Sequence, residues 1–303
     1  TPTAPVLRGE LDLSDLEVGY NAKVAVAGTT AYLAGQNVLA VIDFSDADNP
    51  VLIGVLEIAG RRERDIEVVG DLAYVAGNGG IGVYDISGPL PVEVGRGARA
   101  PCQQIVVSGS RAVVRRSNST RLEFYDRGVD GKTPQYKSTL QIGTLRHFEL
   151  DGDRFYLRRP NLGFDTYNVS NLSNPRQIGH WQDPEHYVDY VRVRGNTLFA
   201  GGHSQGFGIY DLTDPNQPSL LGSLVGADMV RFIIEGSIVY GVRWTPDSIQ
   251  ELVVIDVSKL ANPRVLASIP LKGNSNHVLD LSLGNGFLFI ALRNEDTSGY
   301  VID

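Results

Sequence analysis

The sequence predicts an all-β protein, a seven-bladed β-propeller of four-stranded blades. Two observations predict it. A strand-rich unit of 41–45 residues repeats seven times along all 303 residues, and each unit carries a turn residue and a proline in fixed register. Four short strands per unit of about 40 residues is the pattern of a blade. Such a unit cannot cover both of its faces alone, so neighbours must stack.

The first element of each unit is a hairpin. The stretch Ile66–Ala76 (IEVVGDLAYVA) returns as Val24–Ala34 (VAVAGTTAYLA), and more loosely from Ile105, Phe148, Val191, Phe232 and Leu281. Apolar alternation on both sides of a tight turn is a hairpin signature. The turn positions are Gly28, Gly70, Gly109, Gly152, Gly195, Gly236 and Asn285, residue types that tolerate positive φ.

A third strand follows, ending in Asp or Asn: Leu39–Asp43, Ile81–Asp85, Leu122–Asp126, Phe164–Asn168, Phe207–Asp211, Leu252–Asp256 and Gly299–Asp303. Asp43-Phe-Ser45, Asp85-Ile-Ser87, Asp211-Leu-Thr213 and Asp256-Val-Ser258 continue it, and such short side chains bond back to the backbone and shape turns. A proline then opens the fourth strand. The repeats start near Pro5, Pro50, Pro91, Pro134, Pro175, Pro218 and Pro263. The chain ends on a third strand and begins on a fourth, so the N-terminal strand is expected to complete the last blade. That closure would make residues 1–303 a single domain and leave no long open edge.

Ala73-Tyr-Val-Ala76, Leu252-Val-Val-Ile-Asp-Val-Ser258 and Ala261-Asn-Pro263 carry a resemblance. The units resemble the LVIVD-repeat family of bacterial and archaeal β-propellers, and the resemblance extends over the whole chain. It implies the propeller fold and a protein that is exported or surface-associated, and little else about function. The third and fourth units depart most, with Arg115-Arg116 and Arg158-Arg159 where small residues would fall. No Trp-Asp dipeptide marks a WD repeat.

Composition narrows the function classes. No apolar run approaches the ~20 residues of a membrane helix. The net charge of −8 argues against nucleic-acid binding by the whole surface. Cys102 is the only cysteine, so neither an internal disulfide nor a cysteine metal cluster can form. No cofactor is expected, and the chain is expected to be a monomer. Thr1–Pro5 shows no signal-peptide pattern and there is no initiating Met, so a removed leader and an extracellular or cell-surface location are the expectation.

In a propeller the loops entering the innermost strand and those joining strands two and three share one face, called the top here. Many of the cations fall there, and Arg outnumbers Lys 22 to 5. Arg makes two-point bonds to carboxylate and phosphate that Lys cannot. The candidate ligand-binding or partner-binding residues are Arg115, Arg116, Arg146, His147, Arg158, Arg159, His186, His203, Arg243 and Trp244. Arg115 and Arg158 share one repeat position, and Arg116 and Arg159 share the next. They read as an anion site or as arginines paired with local acids such as Glu123, Asp151 and Asp153. His186, His203 and Glu185 are types that hold zinc or move protons, but their spacing matches no zinc motif. The expected function is a non-catalytic binding or scaffold propeller presenting its Arg-rich top to a protein or anionic glycan. The alternative is a hydrolase or lyase at the top mouth of the channel. There Lys23, Asp65, Gln104, His147, Tyr190, Arg231 and Asp280 precede the innermost strands.

Overall fold

The computed structural model describes residues 5–16, 18, 22–97, 100–117, 119–143, 147–159, 163–182, 190–202, 206–245, 249–271, 277–293 and 298–302. In chain order the strands begin with β1 (Leu7–Asp12), β2 (Lys23–Ala27), β3 (Thr30–Ala34) and β4 (Gln36–Asp43). Next come β5 (Val51–Val69), β6 (Leu72–Gly77), β7 (Gly80–Asp85) and β8 (Val92–Arg96). Then β9 (Cys102–Ser108), β10 (Arg111–Arg116), β11 (Arg121–Asp126) and β12 (Gln135–Gln141) form one group. They are followed by β13 (Phe148–Asp151), β14 (Arg154–Arg159), β15 (Gly163–Asn168) and β16 (Arg176–Gln182). The next four are β17 (Tyr190–Arg194), β18 (Thr197–Gly202), β19 (Gly206–Asp211) and β20 (Ser219–Leu224). After them come β21 (Met229–Glu235), β22 (Ile238–Trp244), β23 (Gln250–Asp256) and β24 (Arg264–Pro270). The last are β25 (His277–Gly284), β26 (Phe287–Arg293) and β27 (Ser298–Ile302).

The protein is an all-β β-propeller, but the repeats' prediction of a closed ring of seven separate four-stranded blades needs correction. The described strands form six sheets, five of four strands and one of seven, β2 to β8. The cause is β5. Its first part pairs with β4 (Val51 opposite Asp43) and its second with β6 (Val69 opposite Leu72). Gln36 stands opposite Arg62, so pairing with β4 extends into the Arg61–Asp65 stretch. Backbone hydrogen bonding on both edges holds the polar Arg61–Asp65 stretch extended. β1 pairs antiparallel with β27, in the order β1-β27-β26-β25.

The chain forms two compact units. One is Thr1–Pro5 with Ile142–Lys272, and the other is Val6–Gln141 with Gly273–Asp303. The second has apolar clusters such as Val24, Leu33, Ala40, Phe44 and Phe289, and, apart from it, Tyr74, Ile81, Ile105, Val114 and Tyr125. In the first, Phe207, Ile209, Phe232, Val239 and Val253 form one cluster, and Tyr156, Phe164, Val191 and Tyr210 another. Most of these residues lie in middle strands such as β7, β19 and β23, whose successive residues point to opposite faces and are buried on both.

The predicted hairpin turns have positive φ throughout, from 55° to 60° at six glycines and 51° at Asn285. The Asp and Asn residues ending the third strands cap their turns. Asp43, Asp85, Asn168, Asp211 and Asp256 accept the N–H two residues on at 2.8–3.0 Å. Hydrogen bonds from Ser258 and Arg264 hold the Asp256 carboxyl down at about 2.

The described strand pairings carry two sets of β-bulges. All seven pairings of third and fourth strands carry a bulge, always at the third residue after the repeat proline: Arg8, Ile53, Val94, Lys137, Ile178, Leu221 and Leu266. This bulge belongs to the repeat. Among the described residues, a second bulge, in the first–second strand pairing, stands at Arg64, Gln103, Val230 and Leu279. A bulge re-aims the side chains beside it. Here the following residues are Asp65, Gln104, Arg231 and Asp280, four of the positions that precede the innermost strands.

Candidate functional site

In the unit containing β1–β12, the arginine pair sits at the end of β10. Arg116 is ion-paired through Nε to Glu123 Oε1 at 3.1 Å, and Tyr125 donates its hydroxyl to Glu123 Oε2 at 2.5 Å. Burial and Glu123 push the Tyr125 hydroxyl far up. This arginine is therefore largely neutralised by a local acid. Arg115 differs. It points to the other side of the strand, opposite Gln104 on β9, just beyond the Gln103 bulge. Its Nε is buried without a hydrogen-bond partner among the described residues, and so is Ser117 Oγ two residues on. Burial alone pulls the Arg115 pKa below the usual arginine range. Buried donors are satisfied in most native proteins, so two adjacent unsatisfied ones need an explanation, such as a water, an ion or a ligand.

The same unit carries a carboxylate cluster at its inner strand starts. Asp280 accepts the Val24 N–H at 3.1 Å and pairs with Lys23 Nζ at 3.4 Å. Asp65 accepts the Ile105 N–H at 2.9 Å. Each carboxylate thus ties its strand to the first residue after the corresponding position of an adjacent inner strand. Burial pushes the Asp65 carboxyl up to about 6, with Asp280 adding to the rise and Lys23 opposing it.

In the other unit, Arg158 on β14 is 1% exposed and Asp165 on β15 fully buried. Asp165 accepts from Gln177 at 3.1 Å and shares a 2.7 Å hydrogen bond with His180 Nδ1. Asp165 and Glu123 occupy one repeat position, where the other units have small or apolar residues or Tyr300. The two units richest in arginine thus also carry the extra carboxylates. Arg243 is bound to Glu251, with Nε at 2.5 Å, and donates to the Gly226 carbonyl at 2.9 Å. Trp244 ends β22 opposite Gln250. Arg146, His186 and His203 lie outside the described residues, as does the side chain of Arg159.

The inner strands of this unit bring together His147, Tyr190 and Arg231 around the Tyr190 ring. The His147 ring centroid is 4.3 Å away, and the Arg231 guanidinium carbon is 6.0 Å away. Arg192 Nη2 donates to Tyr190 Oη at 2.7 Å, and its Nη1 to Glu149 Oε2 at 2.7 Å. Burial raises the Glu149 carboxyl, while Arg192 pulls it down. Sequence reasoning missed Glu149 and Arg192. Their signal is a charged residue two positions after His147 and Tyr190, inside otherwise apolar inner strands. Ser117 carried no sequence signal.

Among the described residues, no three His, Cys, Asp or Glu side chains converge to hold a metal ion. No helix among them is long and apolar enough to cross a membrane.

No curated protein sequence matches this chain. Among solved structures it is similar to a chain in a crystal structure of a mitotic checkpoint complex. That likeness has 13% identity and a TM-score of 0.72, over 97% of this chain and 93% of that one. It is also similar to the computationally designed Ika8 protein, at 9% identity and a TM-score of 0.64, over 93% and 96%. At such identities the likeness is one of fold alone. The family comparison adds the repeat itself: residues 18–57, 60–96 and 246–269 of this β-propeller match the LVIVD repeat.

Proposed function

We propose that this protein is a non-catalytic binding or scaffold propeller, exported or held at the cell surface, that meets a protein or anionic glycan through arginine. A repeat β-propeller offers many loops on a stable frame, which suits recognition. The observation that carries the anionic part is Arg115. Its Nε and the neighbouring Ser117 Oγ are buried donors without hydrogen-bond partners among the described residues, while Arg116 and Arg243 are already bound to carboxylates. An oxyanion contributed by a partner would satisfy the Arg115 donor, and a hydrogen bond to a charged group is worth about 1.5–3 kcal/mol.

The test is binding of immobilised protein to a sulfated glycan and to poly-glutamate at low salt. Arg115→Met keeps the apolar stem and removes the fork. The reading expects at least about a tenfold loss of affinity, since 1.4 kcal/mol is a factor of ten. Unchanged affinity in folded Arg115→Met, or no binding of either probe to the parent protein, would overturn it.

A further inference from the structure

We propose that the groove between the first and second repeats, lined by Tyr32, Gly70 and Asp71, takes an arginine side chain from a protein partner. It goes beyond the reading above, which places an anion at Arg115. The two share no residue, so either can fail alone.

The next groove along the chain supplies the template. Tyr32 on β3 and Tyr74 on β6 share one repeat position. Beside Tyr74 the chain places a guanidinium of its own. Arg127 Nε donates to Tyr74 Oη at 2.6 Å and Nη1 to the Gly109 carbonyl at 2.5 Å. The guanidinium carbon lies 4.7 Å from the Tyr74 ring centroid. The Tyr74 hydroxyl in turn donates to the Gly131 carbonyl at 2.6 Å. Gly109 is the hairpin turn of the third repeat, and Arg127 is the residue after its third strand.

Beside Tyr32 the same backbone carries different side chains. The hairpin turn is Gly70, with φ of 60° against 57° at Gly109. The residue after the third strand is Ile86, whose N–H bonds to the Asp71 carbonyl at 2.9 Å. The Arg127 N–H bonds to the Ser110 carbonyl in the same way, at 2.8 Å. An aliphatic chain thus stands in place of the guanidinium. The turn that follows is also shorter. Asp85 and Pro91 are 6 positions apart, Asp126 and Pro134 are 8, and the other repeats have 7. The longest turn carries Gly131 onto Tyr74. The shortest leaves a groove of about 480 Å³, lined by Thr30, Tyr32, Ile53, Gly70, Asp71 and Ile86 among others.

Charge selects the occupant. Asp71 is exposed and stands where the third repeat has Ser110, so the groove without a guanidinium of its own has a carboxylate instead. Thr30 likewise adds a hydroxyl where β6 has Leu72. A carboxylate, a turn carbonyl and a phenol are acceptors that the forked donors of one guanidinium reach together. A lysine ammonium is a compact point charge and reaches fewer of them. In the template the guanidinium comes from a turn whose backbone carbonyl also meets the tyrosine, so the matching source is a peptide segment.

Isothermal titration of the intact protein with the pentapeptide Gly-Gly-Arg-Gly-Gly tests this, with Gly-Gly-Lys-Gly-Gly and guanidinium chloride as comparators. Saturable binding of the arginine peptide is expected, severalfold tighter than that of either comparator. Asp71→Ser, which copies Ser110, should weaken it by about tenfold, the loss of one hydrogen bond to a charged group. Asp71→Asn stands in should the Ser variant fail to fold. The proposal is overturned if the arginine peptide does not bind saturably, or if either comparator binds as tightly. Affinity unchanged in the folded Asp71 variant overturns it too. Concentration-dependent dimerisation of the parent that Asp71→Ser abolishes would assign the groove to a second copy of this chain, and would equally overturn it.

Discussion

Replacing Asp65 by Asn should stabilise the protein at neutral pH. Asp65 accepts the Ile105 N–H at 2.9 Å beside Asp280 and Lys23, and burial lifts its carboxyl from 3.8 to about 6. A raised carboxyl means that the folded state binds the proton more tightly than the unfolded chain does. Stability from this group is therefore fully present below pH 3.8 and is lost as pH rises through about 6. At about 1.4 kcal/mol per pKa unit, the ionised Asp65 costs roughly 3 kcal/mol at pH 7. That figure is a ceiling, because part of the residue meets solvent. The Asn amide oxygen can still accept from Ile105, but it carries no charge to desolvate. Urea unfolding at pH 7.5 and pH 4 is the assay. Asp65→Asn should be more stable than the parent by about 1–3 kcal/mol at pH 7.5, with the gap shrinking towards pH 4. A variant less stable at pH 7.5, or a gap independent of pH, would refute the argument. Either result would mean that Lys23 outweighs the burial.

Two further predictions concern the frame. Tyr74 donates its hydroxyl to the Gly131 carbonyl at 2.6 Å and accepts from Arg127 Nε at 2.6 Å, so Tyr74→Phe should cost about 1–3 kcal/mol in thermal or urea unfolding. A neutral result would show that water replaces the phenol at both partners. A β-carbon at Gly95 would collide with the Lys132 carbonyl, which is backbone and cannot swing aside, so Gly95→Ala should lower stability by about 1–3 kcal/mol. Wild-type unfolding of that variant would mean that the neighbouring turn yields freely.

Gly95 also belongs to a pattern that the sequence carries in every repeat. The fourth residue after each repeat proline is small: Gly9, Gly54, Gly95, Ser138, Gly179, Gly222 and Ala267. At Gly95, Gly179 and Gly222 a β-carbon would strike the backbone carbonyl of a neighbouring turn. The period was visible, but its meaning depends on how closely the next turn approaches. The candidate site was less legible. Arg116 read either as part of an anion site or as the partner of a local acid such as Glu123, and the ion pair across to the next strand decides for Glu123. Arg115, its chain neighbour, points the other way, so one Arg-Arg pair splits into a neutralised residue and a half-buried one with an unmet donor. The stretch 183–189, which contains Glu185 and His186, lies outside the described residues, whereas Glu149 and Arg192, which carried no motif, hold Tyr190 in place.

What the sequence by itself determined was everything local and periodic. Apolar alternation set the strands, seven residues able to take positive φ set the hairpin turns, and Asp or Asn at the third-strand ends set the caps. These follow from each residue's own stereochemistry and its near neighbours, so the chain alone contains them. Tertiary structure decided what depends on partners distant in sequence. β5 runs unbroken through the polar Arg61–Asp65 stretch, because β4 and β6 supply hydrogen bonds along it. Asp65 becomes a carboxyl of about 6 because inner strands enclose it beside Asp280. The bulges at Arg64, Gln103, Val230 and Leu279 shift Asp65, Gln104, Arg231 and Asp280 by one residue's worth of register, a change that hydrogen-bond pairing fixes and composition does not record.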